Sequence, residues 1–140
     1  MYEEVLPFYL YQGVTMKIAF ASSAGEAVDQ HFGWAKQFSL YEIDTEGATL
    51  LKTIDSSEEP EEEVAKLTYK IETIEEADIM YCTQIGPKAS KMVQAAGIHP
   101  VRVAEGEKIA DAIAKLQEML TTQPPIWLMR IFHKAEMRSA

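Results

Sequence analysis

Met16-Lys17-Ile18-Ala19-Phe20-Ala21 is apolar at every position but one. That is too continuous for a strand with one face in water; it is the pattern of a central strand covered on both faces. Residues 38–43 and 48–54 instead alternate apolar and polar side chains, and Asp44-Thr45-Glu46-Gly47 between them reads as a turn. The two segments therefore form a hairpin. A helix is expected next, with Ser57 as N-cap and Pro60 and three glutamates in its first turns. Val64, Leu67, Ile71 and Ile74 recur at spacings of three and four and give it one apolar stripe.

Residues 78–82 form the next strand, followed by a turn at Gly86-Pro87 and a helix over residues 88–96 that buries Ala89, Met92, Val93 and Ala96. Gly97 is placed to end that helix as a C′ glycine. A strand over residues 98–103 precedes a last helix marked by Ile109, Ile113, Leu116 and Leu120, and Pro124-Pro125 is expected to stop regular structure. The order β-β-β-α-β-α-β-α combines an antiparallel hairpin with parallel βαβ units. The fold class is α/β, a mixed sheet of about five strands flanked by helices.

The chain has 140 residues, 47% of them hydrophobic and 25% charged, which is globular composition and about one domain's length. The expected division is an extension over residues 1–15, a domain over 16–121 and a tail over 122–140. No run approaches the ~20 apolar residues of a membrane span, and the opening residues, with Glu3 and Glu4, lack the basic start of a secretory signal. A cytoplasmic protein is expected. The net charge is −9, and residues 55–78 account for nearly all of it, so the acidity belongs to one helix and its entry and reads as a solvated face or as an acidic docking surface for a basic partner. No basic stripe exists to release counterions from phosphates, which argues against nucleic-acid binding.

Cys82 is the only cysteine. It excludes an internal disulfide, a zinc ribbon and a four-cysteine iron–sulfur cage. His31 lies in the loop 22–33 that leaves the central strand, where ligands gather in open α/β sheets, and a neutral imidazole there is a competent metal ligand. The plainer reading is a loop histidine bonded to backbone. Cys82 ends another parallel strand and reads either as a soft-metal ligand opening onto the same edge or as a space-filling core thiol. Gly86 and Lys88 begin a helix whose free N–H groups can cradle an anion, with Lys36 and Lys91 as further positive charge. No Walker or dinucleotide motif is present. A nucleophile pair of Cys82 with His31 or His99 lacks an orienting partner, so catalysis is not expected. The tail sets Ile126, Trp127, Leu128, Ile131 and Phe132 beside Arg130, Lys134 and Arg138. It reads as a segment packed on its own domain or as a docking helix.

Met16-Lys-Ile-Ala-Phe-Ala-Ser-Ser23, Val28-Asp-Gln-His-Phe-Gly33 and Ala77-Asp-Ile-Met-Tyr-Cys82 together resemble the dinitrogenase iron–molybdenum cofactor biosynthesis family. Gly97-Ile-His-Pro-Val-Arg-Val103 and Ile109-Ala-Asp-Ala-Ile113 extend the likeness, which spans residues 16–120. The resemblance implies a ribonuclease H-like fold without the nuclease's acidic site. It also implies a carrier of iron–sulfur precursors of the nitrogenase cofactor, moving them from a NifB-type cluster synthase to a NifEN-type scaffold. His31 is the metal ligand carried over and Cys82 a second one, with Gly33, Gly86 and Lys88 completing the expected cluster-binding set. A homodimer is compatible with this reading. The alternative is a metal-free regulatory or scaffold protein of nitrogenase assembly, acting through protein contacts.

Overall fold

The computed structural model describes residues 13–139; residues 1–12 of the expected extension lie outside the described range. Strand β1 (Met16–Ala21) is central in a five-stranded sheet of order β4-β3-β1-β5-β6, with β3 at Gln37–Ile43, β4 at Ala48–Asp55, β5 at Ile79–Cys82 and β6 at His99–Arg102. The β1/β3 and β3/β4 pairs are antiparallel, whereas β1/β5 and β5/β6 are parallel. This is the ribonuclease H-like mixed sheet. The hairpin turn closes as its residues dictate: Asp44 Oδ1 accepts from the Glu46 and Gly47 N–H groups at 2.9 and 2.7 Å.

Four helices flank the sheet: α1 (Glu63–Thr73), α2 (Pro87–Ala95), α3 (Ile109–Thr121) and α4 (Ile126–Ser139). The pleat sends alternate side chains to opposite faces, and this accounts for the apolar run in β1. Met16, Ile18 and Phe20 join Ile79 and Tyr81 in one core with α3 and α4. Ala19 and Ala21 join Met80 and Cys82 in a second core with α1 and α2. Gly97 takes φ +85° just past α2, the left-handed conformation that the expected C′ position requires.

Three features of the element pattern differ from the sequence expectation, and Ala96, expected on the buried face of α2, is exposed. The first helix starts at Glu63 rather than after Ser57, because the Ser57 hydroxyl is engaged by Asp55 at 2.6 Å. Glu62 caps the helix instead, accepting from the Val64 and Ala65 N–H groups. Two short strands, β2 (Ala27–Val28) and β7 (Glu107–Lys108), pair antiparallel and pin the loop that follows β1. Two residues are too few to carry a period-2 signal. Pro124-Pro125 opens a helix rather than ending order: the Leu128 and Met129 N–H groups donate to the Pro125 carbonyl at 3.1 and 3.0 Å.

Helix α4 lays Leu128, Phe132 and Ala135 into the α3 side of the core. Arg138 grips Asp78 bidentately at 2.6 and 3.0 Å, and Asp78 also accepts from the Lys17 N–H at 2.9 Å. His99 of β6 stacks on Trp127 with ring centroids 4.3 Å apart. Partial burial lowers the His99 pKa below its ordinary 6.5. The unfolded chain therefore takes up the proton first as pH falls, and stability is lost as pH drops through the unfolded value. Thermal unfolding at about pH 7.5 and about pH 5.5 checks this. His99→Gln should lose less stability between the two than the unaltered chain, and equal losses would refute it.

Candidate functional site

The carboxyl ends of β1, β5 and β6 form one edge of the sheet, and the loop after β1 is folded back across it. Asp29 clasps the loop's start, accepting from the Ser23 N–H at 2.9 Å and the Ser23 hydroxyl at 2.5 Å. Burial works to raise the Asp29 carboxyl, but the Ser23 hydrogen bonds outweigh it and hold the pKa below the ordinary value. Beyond the β2/β7 pair the chain runs parallel to the continuation of β5. The Thr83 N–H donates to the Gln30 carbonyl at 3.0 Å, the Phe32 N–H donates to the Gln84 carbonyl at 2.8 Å, and His31 forms a β-bridge with Gln84. His31 thus stands on extended backbone where β1 would have continued. A 3-10 turn at Phe32–Trp34 follows.

Alternation then decides what each side chain does. Phe32 is fully buried in the core with α1 and α2, while His31 is only partly buried. Its ring stacks on Trp34 at a centroid distance of 4.1 Å and 5° between planes. Trp34 is 64% exposed, so the imidazole is held flat from one side by a ring that itself faces solvent.

Two cavities meet at His31. One, of about 310 Å³, is lined by Gly33, Trp34, Gly86, Lys88 and Glu63 among others. It receives the N-terminus of α2, where Gly86 is the N-cap and contributes no side-chain acceptor, and Pro87 stands in the first turn. The Lys88 and Ala89 N–H groups find no acceptor among the described residues, and the positive end of the helix dipole stands behind them. The structure therefore brings Gly33, Gly86, Lys88 and His31 together on one cavity. Lys36 is not: it pairs with Glu59. The other cavity, of about 400 Å³, lies toward β6 and contains Thr83, Gln84 and Arg102. Thr83, Arg102 and Trp34 were not singled out from the sequence. Trp34 alone had a local signal, three residues beyond His31.

Cys82 lines neither cavity. It is fully buried with Ala19, Ala21, Met80 and Phe32, on the α1/α2 side of β5. Burial pushes its thiol up to about 11, against the smaller opposing effects of Arg102 and of the Gln84 and Phe32 N–H groups. The thiol thus lies beneath the His31 segment rather than beside the imidazole, and it is protonated near neutral pH. Among the described residues no three His, Cys, Asp or Glu side chains converge as a metal-ion site. The arrangement suits a pre-assembled anionic group that needs one imidazole and several N–H donors. It does not suit a lone cation that needs a cage.

The family model described as dinitrogenase iron-molybdenum cofactor matches residues 14–119. The chain is 38% identical over 125 residues to protein NifX of Herbaspirillum seropedicae, covering 88% of this chain and 86% of that one. It is 36% identical over 123 residues to protein NifX of Azotobacter vinelandii, covering 87% and 78%. The apo form of the orange protein from Desulfovibrio gigas matches in structure with a TM-score of 0.54 at 23% identity, covering 75% of this chain and 89% of that one. That likeness bears on the fold alone. Among the described residues no helix is long and apolar enough to cross a membrane.

Proposed function

Because the chain belongs to the dinitrogenase iron–molybdenum cofactor family, we propose that it is a non-catalytic carrier of an iron–sulfur precursor of the nitrogenase cofactor. The precursor is its cargo, received from a NifB-type cluster synthase and passed to a NifEN-type scaffold. The observation that carries this reading is the partly exposed imidazole of His31, set in a cavity with the uncapped N-terminus of α2 and Lys88. A sulfide-bridged cluster brings most of its own ligands, so one protein nitrogen with backbone N–H groups and a lysine is enough to hold it reversibly. Few ligands also make release easy, which a carrier needs. This reading leaves Cys82 out of the holding, because its buried side chain would have to break out of the core to reach the cargo.

Anaerobic titration with precursor cluster tests the reading. Uptake should appear as new visible absorbance and about one cluster's iron per chain, reversible on adding an acceptor scaffold. No change in absorbance or iron content would refute it and favour a metal-free role in assembly.

A further inference from the structure

The cavity on the β6 side of His31 is not used by this reading, and its chemistry differs from its neighbour's. Thr83 lines it at 7% exposure, and the Thr83 hydroxyl has no hydrogen-bond partner among the described residues. Buried hydroxyls are rarely left unsatisfied, so an orphan that lines a cavity points to a ligand. Around it the donors are also free. Arg102 lines the cavity and pairs with no carboxylate among the described residues. The chain leaves β6 at Arg102, and the Val103 N–H returns to the Cys82 carbonyl at 3.0 Å. The next two residues, Ala104 and Glu105, also line the cavity, and their N–H groups find no acceptor among the described residues. Successive free N–H groups beside a guanidinium and a hydroxyl make an anion receptor.

We propose that this second cavity binds a small oxyanion, through the Arg102 guanidinium, the Thr83 hydroxyl and the Ala104 and Glu105 N–H groups. The ligand shares the His31 wall with the neighbouring cavity but contacts none of the α2 N-terminus. The one unfavourable group is Glu105, whose carboxylate stands exposed at the rim. It gives the site a signature, since removing that charge strengthens binding while removing Arg102 weakens it.

The test is an NMR titration of the cluster-free chain with sulfate, with acetate as a second arm and chloride as the ionic-strength control. Saturable shifts are expected at the Thr83, Ala104 and Glu105 amides and at Arg102 Nε. Stronger binding of sulfate assigns the site to tetrahedral anions, and stronger binding of acetate to carboxylates. Arg102→Ala should weaken binding at least roughly tenfold, and Glu105→Gln should tighten it by roughly threefold. Thr83→Val, which keeps the side chain's shape, should weaken binding without lowering thermal stability, because the hydroxyl bonds to nothing among the described residues of the free chain. Linear, unsaturated shifts would overturn the proposal, as would shifts confined to Lys88 and Ala89 or affinities indifferent to all three substitutions. None of these outcomes depends on whether His31 carries a cluster, so the carrier reading stands or falls separately.

Discussion

His31→Ala is expected to weaken uptake of precursor cluster at least roughly tenfold, which corresponds to about 1.4 kcal/mol, while leaving the fold within about 1 kcal/mol of the unaltered chain. The imidazole is partly exposed and makes its main contact with an exposed ring, so truncating it opens no cavity in the core. Its loss removes the one imidazole that lines the α2-side cavity. Cys82→Ala is the matched comparison. It trims a fully buried side chain and should cost about 1 kcal/mol of stability, yet it should leave cluster binding within about twofold. Iron content per chain after anaerobic loading measures both. If Cys82→Ala abolishes binding while His31→Ala retains it, the ligand assignment is wrong, and the loop must open to expose the thiol.

Lys70→Met is expected to be the most destabilising single change outside the two apolar cores, at about 3 kcal/mol or a melting temperature lower by on the order of 10 °C. The Lys70 ammonium is fully buried beneath the end of the His31 loop. It donates to the Ala35 carbonyl at 2.5 Å and the Ser56 carbonyl at 3.1 Å, and it faces Glu59 Oε2 at 3.3 Å. Burial lowers its pKa, and Glu59 opposes that shift. Removing it leaves two carbonyls unpaired and a carboxylate with only Lys36 and Lys66 to neutralise it. Adding Glu59→Gln should recover part of the loss, since it removes the stranded charge. Amide exchange at Ala35 and Lys36 should quicken in the single variant, because Lys70 ties helix α1 to the chain that leaves the Phe32–Trp34 turn. A stability change below about 0.5 kcal/mol would show that the buried cation holds nothing in place.

Lys70 also marks a limit of reading by pattern. Within an acidic segment it looks like one more solvated charge, and its helical position says nothing of the carbonyls at Ala35 and Ser56 that arrive from elsewhere in the chain. Ser57 is similar: as a residue type it is a good N-cap, but Asp55 competes for its hydroxyl and Glu62 takes over. The elements with long, strong periodicity were legible. They include the continuous run of β1, the 44–47 turn, the stripes of α1 and α3, and the glycine that ends α2.

The sequence by itself, in which α4 and the β2/β7 pair were not legible, determined the order and type of the five sheet strands and of helices α1 to α3, the central place of Met16–Ala21, and the position of His31 in the loop after it. Each rests on local physics: the pleat, the helical repeat and the turn chemistry act between residues close along the chain. Tertiary structure decided what the site contains. His31 and Cys82 are both near one sheet edge, but the pleat of β5 turns Cys82 into the core with α1 and α2, and the β-bridge to Gln84 leaves His31 at the meeting of two cavities. Whether two side chains share a site depends on register between distant segments. A single chain's pattern names the face each residue prefers, and only the packed sheet shows what waits on that face.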